Sequence, residues 1–387
     1  MLETFFASCP RGLETLLAED LAMAGASDLK QISGGVHFFA EWPVCYRLNL
    51  HSRIATRVLC RVAHARYAKE EDIYQLALET AWPKWFVPEQ TIRVDVNAVK
   101  SPLKSIDFVT LRIKDAICDR FRRDFGRRPS VDTRQPDVRI QGFISSDECT
   151  LYLDTSGAPL YQRGFRQKTV EAPLRENLAA GILRLSGWQP GIPLLDPMCG
   201  SGTFLLEAAQ IALGLAPGAR RDFAFQNLLN FDAAAWQALH DAARAGEKPV
   251  VDARIFGSDV SPVAVRAALA NLDRAGLLPA VSLRSGDLLA IDAPASSGIM
   301  VSNPPYGERV SSDDELAAFY PLLGQALKQR FAGWTCYLIS ADTRLPKMVR
   351  LTPSKKTPLF NGALDCRLYE FRMVAGSNRG KSGATPA

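Results

Sequence analysis

The chain has 387 residues, 47% of them hydrophobic and 22% charged, with a formal charge of +5. That length exceeds one ordinary domain, and the balance is that of a globular protein, not of a disordered or fibrous chain. Eight scattered cysteines without a C-x-x-C pair, four unclustered histidines and no long apolar run argue against a disulfide framework, a metal centre and a membrane span.

The opening MLETFFASCPRGLETLLAEDL is acidic and amphipathic, unlike a signal peptide, so reduced thiols in a cytoplasmic protein are expected. Thr4 to Cys9 reads as a strand. Pro10 to Ala24 reads as a helix with Leu13, Leu16, Leu17 and Leu21 on one face. Val36 to Ala40 is a further strand, and a helix follows from Trp42, giving a small α+β unit with no visible chemistry.

From about Ser52 to Thr155 the alternation recurs with a basic bias. Thr91–Ala98 alternates as a half-buried strand, a helix runs from Asp107 to Phe125, and strands are expected over Arg134–Phe143 and Cys149–Asp154. Lys100, Lys104, Arg112, Arg120, Arg122, Arg123, Arg127, Arg128, Arg134 and Arg139 crowd this interval, and its aspartates offset only part of the charge. Two readings stand: a solvated helix face with i,i+4 pairing, which charge alone favours, or a phosphate-binding surface.

Leu160 to Arg166 looks like a strand entering a basic connector, and Glu171 to Leu185 has helical spacing. Gly191–Asp196 then reads as a strand running into Pro197-Met198-Cys199-Gly200-Ser201-Gly202-Thr203, a glycine turn that opens a helix. Such a turn lets backbone approach a ligand, and the helix start adds unpaired N–H groups. Two later strands, over Arg254–Asp259 and Val281–Leu288, carry acids at their ends, where nucleotide-binding folds hold ribose hydroxyls and an adenine amine. The stretch between Gly202 and Asp259 is long, so about Ala216 to Val250 forms an insertion. It is read as helical padding, although Arg220, Arg221, Phe223, Phe225 and Trp236 permit a substrate contact.

Gly298–Ser302 is a short apolar run ending at Asn303-Pro304-Pro305-Tyr306. Two prolines bar helix and ladder, so the chain leaves the strand as a rigid extended loop. An Asn side-chain oxygen and the carbonyl of Pro304 can accept both hydrogens of an exocyclic base amine. That favours a pyramidal nitrogen with its lone pair aimed outward, while Tyr306 offers a stacking ring. The same residues also suit a plain proline turn. Beyond them come a helix over Asp313–Phe331, a strand over Trp334–Ser340 and a hairpin over Lys355–Phe371 turning near Asn361-Gly362. Residues 375–387 read as a disordered tail.

With FFASCPRGLETLLAEDL, VDTRQPDVRI, LYQRGFR, EAPLRENLAA, LLDPMCGSGTF and NPPYGER in place, the chain resembles the class I S-adenosylmethionine-dependent methyltransferases. More narrowly it resembles the THUMP-domain RNA guanine-N2 methyltransferases that act on bacterial 23S ribosomal RNA. The likeness covers nearly the whole chain. It implies an α/β fold: a ferredoxin-like portion at 1–55, a THUMP RNA-binding domain at 56–157, and a Rossmann-like sheet at 158–374, mostly parallel with an antiparallel last strand. It implies S-adenosyl-L-methionine as cofactor. Asp196, Pro197, Cys199, Gly200, Ser201, Gly202, Thr203, Asp259 for the ribose, Asp287 and Leu288 for the adenine, and Asn303 would hold it. Asn303, Pro304, Pro305 and Tyr306 would act on the target guanine. Lys100, Arg122, Arg123, Arg127, Arg128, Arg134, Arg163, Arg166 and Arg309 would grip structured RNA, large-subunit rRNA or its precursor particle. No metal and no membrane are implied. Some members carry a second methyltransferase domain, whose modification this chain would leave to another protein. A transfer-RNA guanine, a DNA adenine N6 and a non-catalytic assembly role are the competing readings.

Overall fold

In Glu3–Ser8 and Gly35–Ala40 every second residue is apolar and buried. Phe5 and Ala7 of the first and Val36, Phe38 and Ala40 of the second lie on the same side of a sheet, because strand side chains alternate. The computed structural model describes residues 2–165, 174–249, 253–305 and 313–374. The chain divides into two units, Met1–Gly164 with Leu215–Glu247, and Phe165–Gly214 with Lys248–Ala387.

The first unit holds β1 (Glu3–Ser8), α1 (Glu14–Ala24), β2 (Ser27–Ile32), β3 (Gly35–Ala40), α2 (Trp42–His51) and β4 (Arg57–Arg66). It continues with α3 (Glu70–Glu79), β5 (Ile92–Ala98), α4 (Ile106–Phe125), β6 (Val138–Ile144) and β7 (Glu148–Asp154). The strands form one seven-stranded sheet in the order β2-β3-β1-β4-β7-β6-β5. β1 pairs antiparallel with both β3 and β4, and β4 with β7, so the two stretches expected to be separate domains share a continuous ladder. Helix α4 is capped by Ser105, whose Oγ accepts from the Phe108 N–H at 3.1 Å, and ends at Gly126 in the left-handed region.

The expected strand over Leu160–Arg166 is not formed; the described part, up to Phe165, is a turn. Its cause is Arg163, whose guanidinium curls back to donate to the carbonyls of Leu160 and Arg53. Gly164, at a φ of +85°, turns the chain away.

The second unit contains α5 (Glu176–Leu185), β8 (Leu194–Asp196) and α6 (Thr203–Ala212). The insertion carrying α7 (Ala233–Ala245) interrupts it, and β9 (Ile255–Asp259), α8 (Pro262–Ala275), β10 (Val281–Ser285) and β11 (Gly298–Ser302) follow. α9 (Asp313–Arg330), β12 (Trp334–Ser340), α10 (Leu345–Met348), β13 (Lys355–Asn361) and β14 (Leu364–Arg372) complete it. The order is β10-β9-β8-β11-β12-β14-β13, parallel from β10 to β12, with β14 antiparallel between β12 and β13. Continuous apolar strands fit a sheet covered on both faces: Met300, Cys336 and Leu338 pack with Tyr320, Leu323 and Phe331 of the α9 side in one buried cluster. The reversal of strand order between β8 and β11 opens the crevice where such sheets hold ligands.

The insertion belongs to the first unit. Phe225 stacks on Phe223 and packs against Tyr46 of α2 at 4.6 Å, and its N–H donates to the carbonyl of Thr155. Leu229 N–H donates to Trp85 and the Asn227 amide to the carbonyl of Asp137. Phe223 and Phe225 are therefore core, and the half-buried Trp236 packs edge-on against both. The tail from 375 lies outside the described residues.

Candidate active site

The glycine turn after β8 is shaped by two residues that need positive φ, Gly200 at +52° and Gly202 at +82°. A Cβ on Gly202 would come within 3.2 Å of Ala268 Cβ on α8, so only glycine lets α6 start this close. Gly202 is also the N-cap of α6 and supplies no side chain to the first N–H groups of that helix.

Carboxylates hold the turn open. Asp259 at the end of β9 accepts from Gly200 N–H at 2.9 Å with one oxygen and from Ser261 N–H at 2.9 Å with the other. Asp196 at the end of β8 accepts from the Ser302 hydroxyl at 2.9 Å and from the Met198 N–H. Complete burial pushes the Asp196 carboxyl up to about 7, and the nearby Asp259 charge adds to the rise. The Ser302 and Met198 donors pull the other way. Asp287 accepts from Leu289 N–H, ordering the turn that follows β10.

The Asn-Pro-Pro loop leaves β11 beside this turn. The phenol of Tyr320 on α9 donates to the carbonyl of Pro305 at 2.7 Å and pins the loop. Asn303 Oδ1 is buried and has no hydrogen-bond partner among the described residues. A buried amide oxygen without a donor is costly, so this atom awaits one.

These parts converge. One cavity of about 540 Å³ is lined by Asp196, Pro197, Cys199, Gly200, Ser201, Thr203, Asp259, Asp287, Leu288, Asn303 and Pro305. That volume is within the range of small-molecule and cofactor pockets. Gly202 lies behind the lining as the helix cap, Pro304 is buried, and Tyr306 lies outside the described residues. Leu174, Met198, Val260, Ser261, Phe319, Ser302 and Tyr320 also belong to this region, and the sequence marks none of them as a binding or reacting group. Of these, Val260 and Ser261 follow an identified acid directly, whereas Phe319 and Tyr320 come from α9, whose spacing signals only a helix.

The expected RNA contacts separate into groups. Arg122 pairs with Asp119 at 2.6 Å, Arg123 with Glu79 at 3.0 Å and Arg127 with Glu89 at 2.6 Å, all on the exposed side of α4 and its end. Lys100, Arg128 and Arg134 are exposed and make no ion pair among the described residues. Arg163 is only 4% exposed and occupied by carbonyls, so its place is structural. Arg166 and Arg309 lie outside the described residues. Among the described residues no His, Cys, Asp and Glu group could hold a metal, and no helix is long and apolar enough to cross a membrane.

Family models match in three consecutive pieces: a model described as RlmL ferredoxin-like domain over residues 4–59, THUMP domain over 67–154, and RMKL-like, methyltransferase domain over 163–370. A Synechocystis protein named as a candidate RNA methyltransferase is 38% identical, covering 95% of this chain and 96% of its own. Ribosomal RNA large subunit methyltransferase K/L of Shewanella frigidimarina is also 38% identical over 97% of this chain, but the match spans only 53% of its length. Among solved structures, SMU.472, a candidate methyltransferase complexed with SAH, aligns over 96% of this chain and 98% of its own, at 29% identity and a TM-score of 0.88.

Proposed function

This chain belongs to the RMKL-like methyltransferase-domain family, and from that membership we propose that it methylates the exocyclic N2 of a guanine in structured RNA, most specifically large-subunit 23S rRNA or its precursor particle. S-adenosyl-L-methionine is the cofactor in this reading, and when bound it supplies a methyl group made electrophilic by a sulfonium. The observation that carries the proposal is the buried Oδ1 of Asn303, without a partner among the described residues and set in the same cavity as the glycine turn.

The chain's own residues divide the work. The α6 N-terminus, Gly200 and the turn around Cys199 cradle the cofactor's amino-acid end. Asp259 keeps lone pairs beyond its two backbone bonds for ribose hydroxyls, and Asp287 with Leu288 receives the adenine. Asn303 Oδ1 accepts one hydrogen of the guanine amine and the Pro304 carbonyl the other, turning the nitrogen lone pair toward the methyl group. Bound there, S-adenosyl-L-methionine would supply the methyl group, and the alkylated amine would pass its proton to water. Pro305 is held by Tyr320, so the acceptors are set before the base arrives. On the first unit Lys100, Arg128 and Arg134, free of ion pairs among the described residues, contribute phosphate contacts. The protein works in the cytoplasm in this reading, where its eight buried thiols stay reduced.

Labelled methyl transfer into purified 23S rRNA, tRNA and DNA, with nucleoside analysis, tests the proposal. N2-methylguanosine in rRNA is expected. N2-methylguanosine in tRNA alone, or N6-methyladenine in DNA, would replace the target. Asn303→Ala is expected to keep cofactor affinity in calorimetry and to lose transfer by about a hundredfold or more, the scale of removing one aligned acceptor. Undiminished transfer by the variant would remove Asn303 from the chemistry.

A further inference from the structure

The sheet of the first unit shows its helix-covered side through Phe5, Ala7, Val36, Phe38 and Ala40, each 1% exposed or less. The alternate residues of the same strands face the other way. Cross-strand register places them in two short rows: Lys30 of β2 beside His37 of β3 and Phe6 of β1, and Phe39 beside Thr4, which Arg61 of β4 reaches through a hydrogen bond. The Arg61–Thr4 contact confirms the second row, with the guanidinium donating to the Thr4 hydroxyl at 3.1 Å. Phe6 and His37 rings lie 4.8 Å apart, and Phe39 is 39% exposed, unusual for a phenylalanine within a strand.

Cations predominate on this face, and the acid Glu148 of β7 lies 3.8 Å from His64 further along it. Lys30 and Arg61 make no ion pair among the described residues. The His37 ring is held below its ordinary value by burial first and then by the positive charges of Arg61, Lys30 and His64, with no acid opposing them. A neutral imidazole packed on a phenyl ring, an open phenyl ring and two uncompensated cations form a surface that offers faces to bases and charge to phosphates. Duplex RNA hides its base faces in the stack, so only an unpaired strand can use both features.

We infer that the open face of β2-β3-β1-β4, centred on Phe39, His37 and Phe6 and flanked by Lys30 and Arg61, is a docking platform for an unpaired single strand of RNA. This deepens the reading of the chain as acting on RNA and rests on it, while assigning a task to the N-terminal segment, in which the sequence shows no chemistry.

Fluorescence anisotropy of the full chain with a labelled short single-stranded RNA, and with the same sequence as a duplex, tests this across a salt series. Phe39→Ala is expected to weaken single-strand binding about tenfold with the salt slope intact, and Phe39→Tyr, which keeps the ring, to retain it. Lys30→Gln and Arg61→Gln should each flatten the slope of log affinity against log salt by about 0.7. Duplex binding should change far less with Phe39→Ala. Single-strand affinity indifferent to Phe39→Ala, or loss confined to an Arg122→Gln/Arg123→Gln/Arg127→Gln/Arg128→Gln variant, would overturn the inference. So would a change in sedimentation with Phe39→Ala at constant RNA affinity, which would make the face a contact between copies. The assay needs no cofactor, so its failure and a failure of methyl transfer are separate results.

Discussion

Asp196 joins two loops that the chemistry needs in register. Its carboxylate takes the Ser302 hydroxyl from the end of β11 and the Met198 N–H from the glycine turn, so the cofactor side and the Asn303 side of the cavity share one anchor. That acid at a strand end was legible in the sequence; its partner Ser302 was not, because a serine inside an apolar run reads as strand filler. The consequence for pH can be signed. With the folded carboxyl raised to about 7 from an ordinary 3.8, the folded state binds more protons than the unfolded state between those values. Stability from this group is therefore present at low pH and is lost as pH climbs through that window. Asp196→Asn keeps an acceptor for Ser302 and removes the titration. The melting temperature of the parent protein should fall more between pH 5 and pH 8 than that of the variant, measured by calorimetry without cofactor; parallel curves would show that the carboxyl is not raised. Asn303 illustrates the opposite limit: the sequence indicates its chemistry, and only the structure shows its oxygen buried without a donor among the described residues.

At the level of elements, legibility follows the simplicity of the pattern. Gly298–Ser302 and Trp334–Ser340 are strands with the bounds their apolar runs imply, since buried parallel strands need no alternation. β4 left no such trace. Its pairing with β7 slips between Arg61 and Ala63, and a bulge breaks the two-residue alternation that would have marked Arg57–Arg66 as a strand. Leu160–Arg166 erred the other way, because an apolar and aromatic opening cannot reveal that Arg163 will fold back on carbonyls. The insertion was invisible in destination, not in kind: α7 is helical as read, yet Phe223, Phe225 and Trp236 pack into the first unit. Phe225 is fully buried there, so Phe225→Ala should cost about 3–5 kcal/mol of that unit's stability. Urea unfolding followed by tryptophan fluorescence reads the loss, and cofactor affinity in dilute buffer should be unaffected. A loss below about 1 kcal/mol would mean that the aromatic cluster adds nothing to the core.

Across the whole molecule the same economy of exposure governs the cysteines. All eight are free and buried, from Cys9 to Cys366. Burial pushes the Cys45 and Cys149 thiols up to about 12, and those of Cys9, Cys60, Cys199 and Cys336 upward as well, away from the reactive thiolate. A thiol reagent at neutral pH should therefore find almost none in the native protein and all eight after unfolding. Prompt native labelling, above all of Cys199 in the cavity, would show the turn around it opening in solution. The family models match ferredoxin-like, THUMP and methyltransferase pieces in the order that the resemblance implies. What it could not carry was the continuity of the first sheet or the return of the insertion, because both depend on long-range pairing that no local pattern encodes.

That return has a consequence for synthesis. Strand β8 and helix α6, which belong to the second unit, are made before Phe223 to Ala245, which complete the first. A nascent chain emerging from the ribosome as far as β7 holds every strand of its first sheet, yet Tyr46 still lacks the aromatic partners that cover it. The N-terminal half must wait, partly uncovered, while the beginning of the catalytic half is translated. Truncation after residue 164 would freeze that waiting state.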